Sequence, residues 1–447
     1  MTENLPPFFA GQQPNLPSHH SEPPLYLHKI FFEGNHWMRY FNVVLKFIIS
    51  LFESPITAGI LSFFVYAIIA AQRGPITGVS SSPYFNYLAD AFLHGQLSLR
   101  LIPSNQSDLA LYNGQYFMYW PPFPAVFFMP FIAISGIGFS DRLFTLALGA
   151  LNVTLVAYTL RVVDIKNLIP IDRDKRGLLT IFFAFGTVHL LLSSLGIVWF
   201  TSQIVAFFCS ILIFLAAIRL KGHLAFFFTG LALACATLTR NHLIFLAIWP
   251  AYYLYQVNKS SNINKLISYF FVAVLPIVIA VFINGMYNYL RFGNVLEYGL
   301  AYQDFDGFFR ADFQKYGHFN THYLLTNFYY NFIFYPFPTS DTTLMGGSLF
   351  ILSPLFLAVF WAFNNSVSRR SALVLWFSVI AVTIPILLNI GSGWKTFGPR
   401  YTLDFTMPLL LLTVLGFQKW PKWLICLLVV ISITHYILGT LFFIHVT

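Results

Sequence analysis

The stretch LISYFFVAVLPIVIAVFIN, residues 266–284, holds no charged residue. An α-helix rises about 1.5 Å per residue, so a run of this length reaches across the roughly 30 Å hydrocarbon core of a bilayer. Lipid offers the backbone no hydrogen-bond partners, which leaves the helix as the natural form for such a run. Comparable runs are expected near Ser54–Ala71, Leu143–Leu160, Gly177–Ile197, Gln203–Ile218, Leu224–Leu238 and Leu243–Tyr255. After Leu266–Asn284 itself, more follow near Leu349–Phe363, Ala372–Ile390, Phe405–Phe417 and Trp423–Phe443. The fold class expected is therefore all-α and polytopic, with about eleven transmembrane helices.

Composition agrees. Hydrophobic residues make up 57% of the 447 and charged ones 9%, with a mean hydropathy of +0.69, far from a water-soluble chain. The net charge of +9 comes from basic residues scattered over short interhelical loops, which argues against nucleic acid as a partner. Cys209, Cys235 and Cys426 all lie in apolar segments and form neither a disulfide framework nor a metal spacing. Residues Met1–His20 are polar and proline-rich, and Leu25–Leu51 mixes aromatic residues with Lys29, Arg39 and Lys46. Residues 1–53 thus read as a cytoplasmic tail and an interfacial segment, and a polar tail before the first span argues against a cleaved signal peptide.

The segment Pro121–Gly136 is apolar enough to cross, but Pro121, Pro122, Pro124 and Pro130 oppose a regular helix. If it lies along the surface, thirteen basic residues after that point fall inside and seven outside. The positive-inside rule favours that arrangement, with the N-terminus cytoplasmic. Three exterior loops then stand out, at 72–142, 287–347 and 391–404, and they hold most of the acids, including Glu297, Asp304 and Asp306, which could line an acceptor groove. An active site on the exterior face is expected.

In the first loop, Tyr84–Gly95 places Asn86, Asp90 and His94 at four-residue steps, a polar stripe opposite an apolar face. That geometry would lie on the membrane and present Asp90 to water. Asp108 opens a second stretch in which Asn113-Gly114 signals a hairpin turn, and Tyr112, Tyr116 and Tyr119 suit stacking on a sugar ring. Asp90, His94 and Asp108 offer a divalent cation two carboxylates and an imidazole, without fixed spacing. No cofactor is otherwise indicated.

Four stretches carry a family resemblance: Leu88–Leu97, Asp108–Pro122, Tyr287–Asn294 (YNYLRFGN) and Phe397-Gly398-Pro399-Arg400-Tyr401. They resemble uncharacterised bacterial members of the GT-C glycosyltransferase superfamily, whose better known members are protein O-mannosyltransferases, aminoarabinose transferases and oligosaccharyltransferases. The resemblance covers most of residues 54–447. It implies a GT-C-like bundle with juxtamembrane helices in the first exterior loop. It also implies transfer of a sugar from a polyprenyl-phosphate-linked donor to an acceptor at the periplasmic face of a bacterial inner membrane. The chain departs from the pattern just after the first span, where the better known members carry an acid and this sequence reads Ser80-Ser81-Ser82-Pro83.

Such transfer needs a base for the acceptor's proton and a cation for the departing phosphate. Asp108 and Asp90 are the candidate bases. Arg240, Arg400 and Lys395 are the candidate phosphate ligands, since guanidinium forks match phosphate oxygens. Tyr112, Tyr116, Tyr119, His94, His242 and Trp394 are candidate sugar or acceptor contacts. Asp404 stands four residues from Arg400 and is expected to pair with it. Two other classes compete, a lipid or sugar transporter and a relative that binds lipid-linked sugar without catalysis. The ionisable groups avoid the centres of the spans, which disfavours transport.

Overall fold

In the computed structural model the charge-free run 266–284 lies within one helix, Ile263–Phe292, 30 residues long. Asn262 starts it by accepting the Lys265 N–H at 2.9 Å, and Gly293 ends it at φ 71°, a conformation that glycine adopts without strain. The structure describes residues 40, 43–303, 307–364, 369–391, 393 and 395–446. The expectations for Met1–His20, Lys29, Arg39, Asp304, Asp306 and Trp394 lie outside them. The chain divides into two units, Met1–Ile48 and Ile49–Thr447, and everything below concerns the second.

Among the described residues, five helices are long and apolar enough to cross a membrane: Asp141–Ile165, Val198–Arg219, Ile263–Phe292, Arg369–Leu388 and Lys422–Val446. The protein is an integral, multi-pass membrane protein. The other expected spans fall on shorter or interrupted helices. Pro55–Ala71 has 17 residues, and Gly222–Thr237 has 16. The span expected at Gly177–Ile197 is broken into Arg173–Phe185 and His189–Ser194 around Gly186. The spans expected at Leu243–Tyr255 and Leu349–Phe363 contain 3₁₀ turns, Asn241–Ala247 and Pro354–Asn364.

The helices sort into central and peripheral. The apolar stretch of Val198–Arg219 is 78% buried, whereas that of Ile263–Phe292 is only 17% buried and turns Phe270, Phe271, Leu275, Val278 and Phe282 outward. An outward face of that kind is what lipid contact requires. Ile263–Phe292 meets Gly222–Thr237 at Gly230, where a Cβ would stand 2.1 Å from the Ala273 carbonyl oxygen. Small residues that let backbones touch are the usual glue between membrane helices.

The polar insert after the first helix is structured. Tyr84–Leu93 packs against Phe123–Ser135, the 13-residue helix that occupies Pro121–Gly136. Tyr84, Phe85 and Leu88 from one helix, and Ala125, Phe128 and Ile132 from the other, form a shared apolar core. At 13 residues, Phe123–Ser135 is too short to cross a bilayer by itself. The hairpin forms as expected: Leu109–Tyr112 pairs antiparallel with Gln115–Met118 around Asn113 and Gly114, both at positive φ (50° and 75°).

The polar stripe does not behave as expected. Asn86 is fully buried, and its amide donates to the carbonyls of Ile137 and Phe139 at 2.9 and 2.7 Å. Asp90 is 7% exposed rather than presented to water, because Arg100 folds over it and satisfies both carboxylate oxygens.

Candidate active site

Asp108 sits at the base of the hairpin with φ 66°, a left-handed conformation that aspartate tolerates better than most residues. Two distant donors fix its carboxylate. Trp199 Nε1, at the start of Val198–Arg219, donates to Oδ2 at 3.0 Å. Gln303 Nε2 donates to Oδ1 at 2.8 Å, and Gln303 is itself held to the hairpin by an antiparallel bridge with Ala110. Arg291 clamps the hairpin's other strand by donating to the Met118 carbonyl, and Met118 pairs with Leu109.

The second half of the site comes from the 391–404 loop and the turn after Gly222–Thr237. A short parallel pairing of Met345–Gly346 with Thr396–Phe397 anchors the loop. Phe397 is fully buried and lies so close to Gly439 that a Cβ there would stand 2.1 Å from its ring. The chain then turns through Arg400–Phe405, and Gln203 Nε2 holds the Arg400 carbonyl at 2.9 Å.

Tyr401 is flanked by two guanidinium groups, Arg240 and Arg400, each 4.9 Å from its ring centre. Asp404 accepts from Arg240 Nε at 2.9 Å and lies 2.8 Å from His242 Nε2. The expected i,i+4 pair of Asp404 with Arg400 is therefore replaced. The turn Arg400–Phe405 carries Asp404 inward to meet residues more than 160 positions earlier. Burial pushes the Asp404 carboxyl up, but Arg240 and His242 outweigh it and hold the carboxyl below the usual range.

Arg400 has a different environment. Its Nη2 reaches the Tyr401 hydroxyl at 3.4 Å, its buried Nε lacks a hydrogen-bond partner, and it forms no ion pair among the described residues. A buried guanidinium N–H without an acceptor is costly unless a ligand supplies one. Tyr119 joins the two halves. Burial first, then the charges of Asp108 and Tyr401, push its hydroxyl far above the ordinary tyrosine value, while Arg400 and Arg240 pull it back. One side chain thus lies within the fields of one candidate base, Asp108, and two of the three candidate phosphate ligands, Arg240 and Arg400.

The structure brings together Asp108, Tyr119, Arg240, Arg400 and His242. Asp90 and His94 form a separate pair, with His94 Nδ1 3.6 Å from the Asp90 carboxylate beside Arg100. Tyr112 packs on Tyr302 with ring centres 4.4 Å apart, and Tyr116 donates to Gln106 at 2.7 Å. Lys395 is exposed, at φ 49°. Among the described residues no three His, Cys, Asp or Glu side chains gather as a metal site, so Asp90, His94 and Asp108 do not form the ligand set that the sequence offered. Sequence reasoning missed Trp199, Gln303 and Tyr401 as members of the site. Only Tyr401 left a signal, beside Arg400.

No family model matches the sequence, and no curated protein matches it either. Solved structures do match. The apo oligosaccharyltransferase of Archaeoglobus fulgidus is 12% identical with a TM-score of 0.51, covering 88% of this chain and 55% of that one. ArnT from Cupriavidus metallidurans, bound to undecaprenyl phosphate, is 14% identical with a TM-score of 0.48, covering 82% and 60%. The chain spans little more than half the length of these structures. The likeness to the oligosaccharyltransferase establishes the class: this is a polytopic helical membrane protein of GT-C-like fold.

Proposed function

We propose that the protein is an inverting membrane glycosyltransferase that moves a sugar from a polyprenyl-phosphate-linked donor to an acceptor at the exterior face. The observation that carries this reading is the grouping of Asp108, Tyr119, Tyr401, Arg240 and Arg400, with the Arg400 Nε lacking an acceptor among the described residues. The neighbour of like fold, an oligosaccharyltransferase, agrees with it.

In this reading an acceptor oxygen attacks the anomeric carbon, and its proton passes to Asp108. The bond between that carbon and the phosphate oxygen breaks, and polyprenyl phosphate leaves with the electron pair. Arg400 and Arg240 neutralise the charge that grows on the phosphate, the contribution expected of preorganised cations. Trp199 and Gln303 hold the carboxylate in place, and Tyr119 offers a ring against which a sugar packs. Asp108 is the base rather than Asp90, because Asp90 is paired with the charged Arg100 guanidinium, whereas the Trp199 and Gln303 donors to Asp108 are neutral. The 72–142, 287–347 and 391–404 segments act as the exterior loops of the domain, with the N-terminus cytoplasmic.

The test is transfer of labelled sugar from a panel of synthetic polyprenyl-phosphate donors by reconstituted protein. Loss of transfer in Asp108→Asn and Arg400→Gln, with insertion intact, supports the assignment. Wild-type rates in both would overturn it.

A further inference from the structure

Past the helix Tyr84–Leu93 the chain turns at Gly95, at φ 72°, and runs beside the hairpin, where the Leu99 N–H donates to the Tyr116 carbonyl at 2.8 Å. From another side Arg291, near the end of Ile263–Phe292, donates to the Met118 carbonyl. Between residues 96–98, the hairpin and this helix end opens a cavity of about 350 Å³. Pockets that hold small ligands start at roughly 300 Å³.

The lining states what kind of ligand fits. Phe117 is buried and packs on Phe292 with ring centres 5.3 Å apart. Tyr112 is wedged between Phe292 at 5.6 Å and Tyr302 at 4.4 Å. Around these rings stand the carboxamides of Gln96, Asn113 and Gln115 and the Ser98 hydroxyl. Among the described residues these four side chains make no hydrogen bond with the protein. Arg291 is the only charged residue that lines the cavity, and each of its guanidinium nitrogens already donates, to the Tyr287 and Met118 carbonyls and to Asn288 Oδ1. With no carboxylate to hold a cation and no uncommitted guanidinium nitrogen to hold an anion, the cavity suits a neutral ligand. A carboxamide both donates and accepts hydrogen bonds, as does each hydroxyl of a sugar, and aromatic rings accept the sugar's apolar face.

We propose that this cavity binds a neutral sugar unit of the acceptor, and that the acceptor is an oligosaccharide. The acceptor role rests on the transferase reading above. Two consecutive residues join the cavity to the candidate active site, since Gln303 binds Asp108 and Tyr302 packs on Tyr112. At about 3.3 Å per residue along Leu109–Tyr112, Tyr112 stands roughly 13 Å from Asp108. A short run of sugars spans that gap, with one unit beside Asp108 and a later one between the carboxamides.

The experiment is saturation-transfer difference NMR of the full chain in a detergent without a sugar headgroup, titrated separately with maltotriose, mannotriose and chitotriose. Wild type is compared with Gln96→Ala, Gln115→Ala and the double variant, which truncate exposed side chains and leave the packing as it is. The expected result is saturation transfer to at least one trisaccharide in the wild type, with affinity lowered about tenfold or more in the double variant and unchanged in Arg400→Gln. Binding is read without turnover, so a protein that transfers no sugar still reports whether the cavity takes one, and the two readings fail separately. No saturation transfer to any of the three trisaccharides overturns the proposal, as does wild-type affinity in the double variant. Displacement of the trisaccharide by inorganic phosphate would make the cavity an anion site and overturn it too.

Discussion

Removing the Asp404 carboxylate tests whether the Arg240–His242–Asp404 cluster is held together by charge. Asp404 is fully buried and the Arg240 side chain is 13% exposed, with an N···O distance of 2.9 Å. At an effective dielectric of 20, two unit charges at that distance attract by about 6 kcal/mol before desolvation is subtracted. Asp404→Ala leaves the guanidinium buried without its partner, a loss of about 3–5 kcal/mol. Arg240→Met also removes the charge from the other side. The double variant should then be more stable than the sum of the two losses predicts, by at least about 1 kcal/mol. The carboxyl is held below its ordinary value, so its contribution is present above about pH 4 and is lost as pH falls through the lowered value. The gap between wild type and Asp404→Asn should stay constant from neutral pH down to about 4 and narrow only below that. Unfolding in detergent micelles, followed by tryptophan fluorescence, measures all three quantities. Additive losses, or an Asp404→Ala cost below about 1 kcal/mol, would refute the reasoning.

Asp90→Asn breaks a pair whose arginine is solvent-exposed, so it should cost little stability and leave transfer intact, as a transfer assay beside Asp108→Asn can check. Trp199→Phe removes one of the donors that fix Asp108. A hydrogen bond to a charged group contributes about 1.5–3 kcal/mol, so transfer should fall about tenfold or more while the thermal midpoint moves little. Gly416→Ala puts a Cβ 1.7 Å from the Ala358 carbonyl oxygen and should destabilise by about 1–3 kcal/mol, visible as a lowered unfolding midpoint.

Much of this architecture was legible along the chain. Each apolar run that predicted a span lies on a helix or a pair of helices, because hydropathy and backbone satisfaction act locally. The interruptions were less visible. The break at Gly186 needed knowledge of its neighbours, where a Cβ would press on Ser432 at 2.8 Å. The candidate site was legible in its residue types and not in its pairings. Asp108 and Arg400 stood out as an acid and a cation in the long polar loops, but Trp199 and Gln303 meet Asp108 across 91 and 195 positions. Asp404 looked like a partner for Arg400 because four residues separate them, and the 3₁₀ turn between them sends it to Arg240 instead. Likewise Asp90 looked solvent-facing by helical periodicity, and Arg100 from the following segment closed over it.

The two donors to Asp108 bear on the order in which the protein comes to life. Ribosomes deliver the chain from its N-terminus, so the hairpin is made long before Gln303 exists, and Arg400 arrives later still. Until then the carboxylate is only half secured and faces no phosphate ligand from the last loop. A nascent chain would therefore carry Asp108 without the partners that complete its surroundings, which arrive one after another as the late segments dock. The completeness of the candidate site is in this sense written into the distances along its own sequence.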